Sequence, residues 1–381
     1  MKSILFLCES LEIGGAERAL YTLLSHLNLN KFNITVCSLC DTGYYSTLIK
    51  QIPEINYKPI LIPQNNGIKR FIYNIKYNLI YKLLNTSLIY KLFIPKGKDV
   101  EIAFCEGFAT KILSKSTNKK SKKIAWIHTD LLLNNWPVNI GVYRNLNDEI
   151  NVYNKFNNIV GVSNSVTNNL IKILHRKNNI STLYNLIDET EIKALSYQDI
   201  NINFNTSKLK IVSVGRLSKV KGYDRLINIC AKLIIEDNLD ICLIIVGGGV
   251  EYNNLSKRIA DLGISQSVKL VGSQYNPYPY IKMADLYVCP SRQEGYNIAL
   301  AEAIILEKPC ISTNCSGPDE ILENGKYGYL VENNDDSLYL GLKDLICNAK
   351  KLDYYKSLSI KRKSFFEFKK NTAKFESLIE E

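Results

Sequence analysis

Residues 208–227, KLKIVSVGRLSKVKGYDRLI, carry the reading from which the fold follows. Leu209, Ile211, Val212 and Val214 form a short apolar run of strand type, Gly215-Arg216-Leu217 breaks it, and helical spacing begins near Tyr223. A strand that feeds a helix through a glycine turn is the repeating unit of parallel α/β sheets. Downstream the alternation continues, with ICLIIVG, VKLVG, LYVCP, PCIST and YGYLV as strands and helices over about 223–235 and from about Asn297. Upstream the polar stretch 186–207, which contains NINFNTS, interrupts the pattern. Before it a second series runs through KSILFLC, NITVCSL, INYKPILI, VEIAFC, KKIAWIH, NIVGVS and ISTLYN, with a helix from about Ala16. The expectation is an α/β protein of two Rossmann-like, doubly wound parallel-sheet domains. They are residues 1–187, a linker 188–207, and 208–359, with a charged helix at about 360–381 as a candidate to pack back on the first. Such sheets bind ligands at the carboxyl ends of their strands, so two facing domains predict a site in the cleft between them.

The bulk properties agree with this size. The 381 residues, 46% hydrophobic and 22% charged, are ordinary for a globular chain with room for two domains. No apolar run reaches the roughly 18 residues of a membrane span, and MKSILFLCES reads as a strand rather than a secretory leader. The expected location is cytoplasmic, or peripheral at the inner face of the membrane. Cys8, Cys105, Cys242, Cys289 and Cys310 sit in apolar strand-like runs, where reduced thiols behave as small hydrophobes. Cys37 and Cys40 form a CxxC beside a strand with no second pair or His cluster at zinc spacing, so no metal is expected there. The formal charge of +11 favours anionic partners such as nucleotides or phospholipid head groups; nucleic acid is not among the expected partners.

Two motifs carry chemistry. Arg216 and Lys221 lie in a strand-to-helix turn whose amides and helix end also favour anions, which suits a diphosphate; the alternative is a pair of solvated loop cations. Glu294 to Glu302, EGYNIALAE, follows another strand, with Ser291 just ahead. Glu294 falls in the loop, where a carboxylate can accept sugar hydroxyls. Glu302 falls in a helix of Ala301, Ala303, Ile304 and Ile305, where a buried carboxylate needs a partner. The alternative is a capping acid and a solvated helix residue.

Together GRLSKVKGYDRLI, IVGGG, NPYPYIKMADLYVCPSRQEGYNIALAEAI and SGPDEIL resemble the retaining glycosyltransferases of family 4, which have the GT-B architecture. The resemblance covers most of 211–331. It implies that Arg216 and Lys221 hold the donor diphosphate, that Glu294 contacts the transferred sugar, and that Glu302 bonds the nucleotide ribose. It also implies that Gly295, Tyr296, Asn297 and Ile298 line the donor site. Gly14-Gly15-Ala16-Glu17 resembles the family's glycine-rich N-terminal loop, with Gly15 facing donor or acceptor. His128, ending KKIAWIH, matches a first-domain histidine near the donor sugar and acceptor, the alternative being a structural loop histidine. Glu294, His128, Arg216 and Lys221 are thus the expected catalytic residues. Gly247-Gly248-Gly249 is no dinucleotide fingerprint and is expected to shape a loop at the donor base. Asp319 and Glu320 line the cleft or act as first-turn acids.

The expected reaction moves a sugar, with retention, from a nucleotide diphosphate donor, UDP-sugar first among them, to a glycan or lipid-linked acceptor. No cofactor or metal is expected, because Arg216 and Lys221 balance the leaving charge. The competing readings are a GT-B sugar-nucleotide epimerase, a degenerate sugar-nucleotide-binding partner and, against the missing fingerprint, a nicotinamide dehydrogenase. Finally, Ile68–Lys98 carries Lys69, Arg70, Lys76, Lys82, Lys91, Lys96 and Lys98 among apolar residues with no acid. That pattern suits an anionic membrane surface or, equally, a core helix with a solvated basic face.

Overall fold

The computed structural model describes residues 1–200, 208–366 and 368–380. The chain divides into two units, Met1–Asn185 with the C-terminal stretch from Lys369, and Leu186–Phe368.

The first unit is built on seven strands: β1 (Lys2–Cys8), β2 (Phe32–Cys40), β3 (Ile55–Leu61), β4 (Val100–Ala103), β5 (Lys122–Ile127), β6 (Asn158–Gly161) and β7 (Ile180–Thr182). They pair in the order β3-β2-β1-β4-β5-β6-β7, every pair parallel. Ile4, Leu5, Phe6 and Leu7 have no exposed surface although they alternate between the faces of β1. Burial on both faces is what a parallel sheet covered by crossover helices requires, and it explains the continuous apolar run. Part of that cover comes from the C-terminal helix Phe368–Glu380: Phe375 is fully buried and stacks on Phe6 with centroids 6.1 Å apart. Lys2 and Lys122 donate to its last-turn carbonyls, at Ile379 (2.5 Å) and Leu378 (2.6 Å), groups that a helix end otherwise leaves unsatisfied.

The second unit has six strands: β8 (Leu209–Val214), β9 (Ile241–Val246), β10 (Val268–Leu270), β11 (Leu286–Cys289), β12 (Cys310–Thr313) and β13 (Tyr329–Val331). Their order is β10-β9-β8-β11-β12-β13, again all parallel. In each sheet the chain order reverses once beside the first strand, between β1 and β4 and between β8 and β11. At such a switch point adjacent crossovers leave in opposite directions and open a crevice at the strands' carboxyl ends.

The stretch read as a linker, 188–207, is not all linker. Asp188 caps a helix, Glu189–Leu195, by accepting from the Glu191 amide (2.9 Å), and Ile192 is fully buried. Asn276 donates to Leu195 O (2.8 Å) and fastens that helix to the second unit. Residues 201–207 of the expected linker lie outside the described residues. The second unit also continues past 359, because Arg362 at the end of helix Ala349–Arg362 donates to Ile321 O (2.8 Å) and Glu320 O (2.7 Å).

Candidate active site

In the second unit the switch point lies between the loops that follow β8 and β11. After β8, Gly215 to Ser218 runs against the three glycines that follow β9. Leu217 N donates to Gly248 O (2.8 Å), and a Cβ on Gly247 would sit 1.9 Å from Gly215 O. The triple glycine therefore lets two backbones touch, rather than binding a ligand by its own fingerprint. A 3-10 turn, Lys219–Lys221, then leads to Gly222, which has φ +70° and starts helix Tyr223–Ile235. A side chain there would meet Pro290 O at 2.1 Å, so glycine is what allows this turn to lie on the loop after β11.

That contact brings Lys221 and Glu294 together. The Lys221 ammonium is 2.7 Å from both carboxylate oxygens of Glu294, whose side chain is 6% exposed against 25% for the lysine. Glu294 also accepts from Ser291 Oγ (2.6 Å) and Asn297 Nδ2 (2.9 Å). A buried carboxylate with this many charged and polar donors is compensated for its lost hydration. Asn297 in turn caps helix Ile298–Ile305 through Leu300 N (2.9 Å), so one side chain joins the carboxylate to the helix end. Gly295 and Tyr296 are buried at that end, against Gly317. Glu302 is 2% exposed and has the Tyr278 hydroxyl 3.5 Å from its carboxylate, the partner its buried position requires. Arg216 stands apart from these. It is exposed, and its guanidinium makes no ion pair among the described residues, which leaves a cation open to an anion beside the helix ends.

Two arginines that the sequence reading passed over build this arrangement. Arg225, 3% exposed, donates to Pro290 O (2.8 Å), Ser291 O (2.8 Å) and Asn333 Oδ1 (2.8 Å), with Asp335 3.8 Å away. It ties the loop that carries Ser291 and Glu294 to the helix that follows Lys221. Arg292 forms a two-pronged pair with Asp224 (2.7 and 2.8 Å) and donates to Lys219 O (2.8 Å), which clamps the 3-10 turn. The signal for Arg225 was present: it sits between Tyr223, Leu226 and Ile227, buried positions of an amphipathic helix, where an arginine needs a set of acceptors.

Gly15 and His128 belong to the first unit. Gly15, exposed, begins helix Gly15–His26 after β1. His128 follows β5, with its ring against Phe104 (4.9 Å) and nearly parallel to Trp126 (6.3 Å, 11°). Its Nε2 is buried with no hydrogen-bond partner among the described residues. Burial pushes the imidazole well below its ordinary range, opposed by the charge of Glu106 and by the Phe104 backbone, so near neutral pH the ring is uncharged. The same switch point holds Glu9 and Glu106, neither anticipated from sequence. Glu9 accepts from Phe108 N (3.0 Å), and burial raises its carboxyl above the usual range.

The cysteines are all free. Burial pushes the Cys37 thiol up to about 12, and among the described residues no group of His, Cys, Asp and Glu could hold a metal ion.

The basic segment is three pieces rather than one: helix Gly67–Asn78, a π-helical turn Leu79–Leu83 and helix Thr86–Phe93. Helix Gly67–Asn78 is not a core helix, because it has no buried residue. Its apolar stripe, Ile68, Phe71, Ile72 and Ile75 at helical spacing, is exposed, with Ile68 at 78% and Phe71 at 65%. Lys98 leaves the basic set, since it turns inward to donate to Thr35 Oγ1 (2.7 Å). Among the described residues no helix is long and apolar enough to cross a membrane.

Residues 198–362 match the family described as "Glycosyl transferases group 1". The chain is 29% identical over 375 residues, with 94% of each chain covered, to N-acetylgalactosamine-N,N'-diacetylbacillosaminyl-diphospho-undecaprenol 4-alpha-N-acetylgalactosaminyltransferase of Campylobacter jejuni. It is 28% identical over 179 residues to N-acetyl-alpha-D-glucosaminyl L-malate synthase of Bacillus anthracis, 46% of each being covered. The crystal structure of Anabaena HepE in complex with UDP-glucose superposes with a TM-score of 0.77 at 18% identity over 100% of both chains, a likeness of fold.

Proposed function

We infer that this chain, a member of the group 1 glycosyl transferases through residues 198–362, moves a sugar from UDP-sugar to a glycan or lipid-linked acceptor with retention of configuration. The observation that carries this reading is the ion pair of Lys221 with the buried Glu294, together with the exposed Arg216 in the loop after β8, at the point where the second sheet reverses its order. Arg216, Lys221 and the amides at the start of helix Ile298–Ile305 stabilise the charge that develops on the leaving diphosphate, with no metal ion in the reading. Glu294 accepts hydroxyls of the transferred sugar, Glu302 those of the ribose, and Gly295 to Ile298 border the donor. The anomeric bond to UDP breaks as the acceptor oxygen bonds the same face, and the acceptor's proton passes to an oxygen of the leaving phosphate. His128, uncharged, and Gly15 position sugar or acceptor. The UDP-glucose complex of HepE supports uracil as the base, and the Campylobacter relative's name supports a diphospho-lipid acceptor. Relatives named for lipopolysaccharide core and capsular polysaccharide biosynthesis support a role in surface glycans. Calorimetric titration of UDP, GDP and ADP into the intact chain tests the donor assignment.

A lipid-linked acceptor places the enzyme at a membrane surface, and helix Gly67–Asn78 suits that contact. Its exposed Ile68, Phe71, Ile72 and Ile75 can enter the head-group region while Lys69, Arg70 and Lys76 meet anionic lipid, about 1 kcal/mol per cation. The intact chain is expected to float with phosphatidylglycerol vesicles at low salt, and Phe71→Glu/Ile72→Glu to remain at the bottom of the gradient. Equal flotation of the two proteins, or none by the wild type, removes this helix from the reading.

A further inference from the structure

We propose that Glu106 is the positioning residue of the first unit's site: its carboxylate holds the backbone and hydroxyl of His128-Thr129 at the end of β5 and supplies the negative charge beside the imidazole. The inference rests on the reading of His128 as a group that meets sugar or acceptor.

Glu106 stands just past β4, the strand beside β1 at the switch point, and is 4% exposed. A charge so buried needs compensation, and among the described residues its donors come from one downstream loop. His128 N–H donates to Oε2 (2.8 Å), while the Thr129 hydroxyl and the Trp136 indole N–H (3.2 Å) donate to Oε1. One carboxylate thus fastens both ends of 128–136. The middle of that loop has its own support, since Asp130 accepts from Leu132 N (3.2 Å) and from Asn169 Nδ2 (2.9 Å). What Glu106 adds is the hold on the two ends of the loop, the histidine end among them.

The imidazole rests against Phe104 (4.9 Å), with Trp126 farther off at 6.3 Å and nearly parallel to it, and its Nε2 has no hydrogen-bond partner among the described residues. Aromatic walls fix the ring plane but supply no charge. Glu106 is the acid whose charge opposes the effect of burial on His128, and Glu9 and Glu149 are the other carboxyl groups that feel it. Its removal has two consequences. The segment bearing the ring loses its anchor, and the ring loses the anion whose charge favours its protonation when a substrate hydroxyl approaches.

The experiment uses the full chain and the imidazole resonances, which are few because the sequence has His26, His128 and His175 only. His128→Gln assigns the signal. Glu106→Gln keeps the shape, removes the charge and offers an N–H2 to loop donors that need an acceptor. It is expected to move the His128 titration to lower pH and to reduce kcat about tenfold or more. UDP affinity stays unchanged, because the residues read as holding UDP are in the other unit. Thr129→Val leaves the carboxylate with one donor fewer and is expected to shift the titration the opposite way, which keeps the test alive if Glu106→Gln fails to fold. A His128 titration that neither variant moves overturns the proposal. Full transfer by His128→Ala with the titration shifts intact would instead overturn the reading of His128 and leave the Glu106 contact standing.

Discussion

Lys221→Ala is expected to lower sugar transfer by about 10²–10³-fold, the usual cost of losing one preorganised charge-stabilising group. It should also lower stability. The ammonium lies 2.7 Å from both oxygens of a carboxylate that is 6% exposed, and its loss leaves Glu294 with only the Ser291 and Asn297 donors. Breaking a fully buried pair costs about 3–5 kcal/mol; the lysine is a quarter exposed, so solvent screens part of this and the expected loss is nearer 2 kcal/mol. The two effects separate in the double variant Lys221→Ala/Glu294→Gln. Removing the orphaned charge should restore most of the melting temperature, while transfer stays at the level of the single variant or below. A double variant that transfers sugar at the wild-type rate would make the pair a structural brace and nothing more.

The largest stability effect is expected at Arg225. Its guanidinium is 3% exposed and supplies donors to Pro290 O, Ser291 O and Asn333 Oδ1. Arg225→Met fills similar space and supplies none of them. Pro290 O loses the Arg225 donor, while Ser291 O keeps the Thr313 hydroxyl (2.6 Å) and Asn333 is exposed to water, so at about 1–3 kcal/mol per buried acceptor left unsatisfied a loss of about 2–3 kcal/mol is expected in urea unfolding. Lysine should not rescue it, because a single ammonium cannot span acceptors that a planar fork reaches together. UDP affinity should fall as well, by about tenfold, since the freed loop carries Ser291 and Glu294. An Arg225→Met protein with unchanged unfolding midpoint would show that the loop after β11 stands without this anchor.

Much of the fold was legible because parallel strands buried on both faces read as unbroken apolar runs. KSILFLC and ICLIIV are seen as β1 and β9 with those bounds to within a residue. The helix Glu189–Leu195 was missed because its signal is local capping by Asp188, set in a polar neighbourhood. The continuation of the second unit to Phe368 depends on Arg362 reaching carbonyls about forty residues away, a contact that no local pattern announces. In the site, Lys221 and Glu294 stand out as charged residues in the turns that follow strands, and Glu302 as a carboxylate within an apolar helix. Arg292 and Glu106 escaped for the converse reason, and for Arg225 the helical setting marks burial but not the partners: all three bind backbone carbonyls or amides, which leave no mark in a sequence. The basic segment could not be resolved at all from its letters, because an apolar stripe facing a core and one facing solvent have the same spacing.

The most direct test of the central claim is calorimetric titration of UDP into the intact chain and into Arg216→Ala. The account predicts that UDP binds the wild type in preference to GDP and ADP, and that the loss of this exposed cation weakens UDP at least about tenfold, the worth of one charge-assisted contact to phosphate. Failure of all three nucleotides to bind, or UDP binding by Arg216→Ala equal to the wild type, would contradict it.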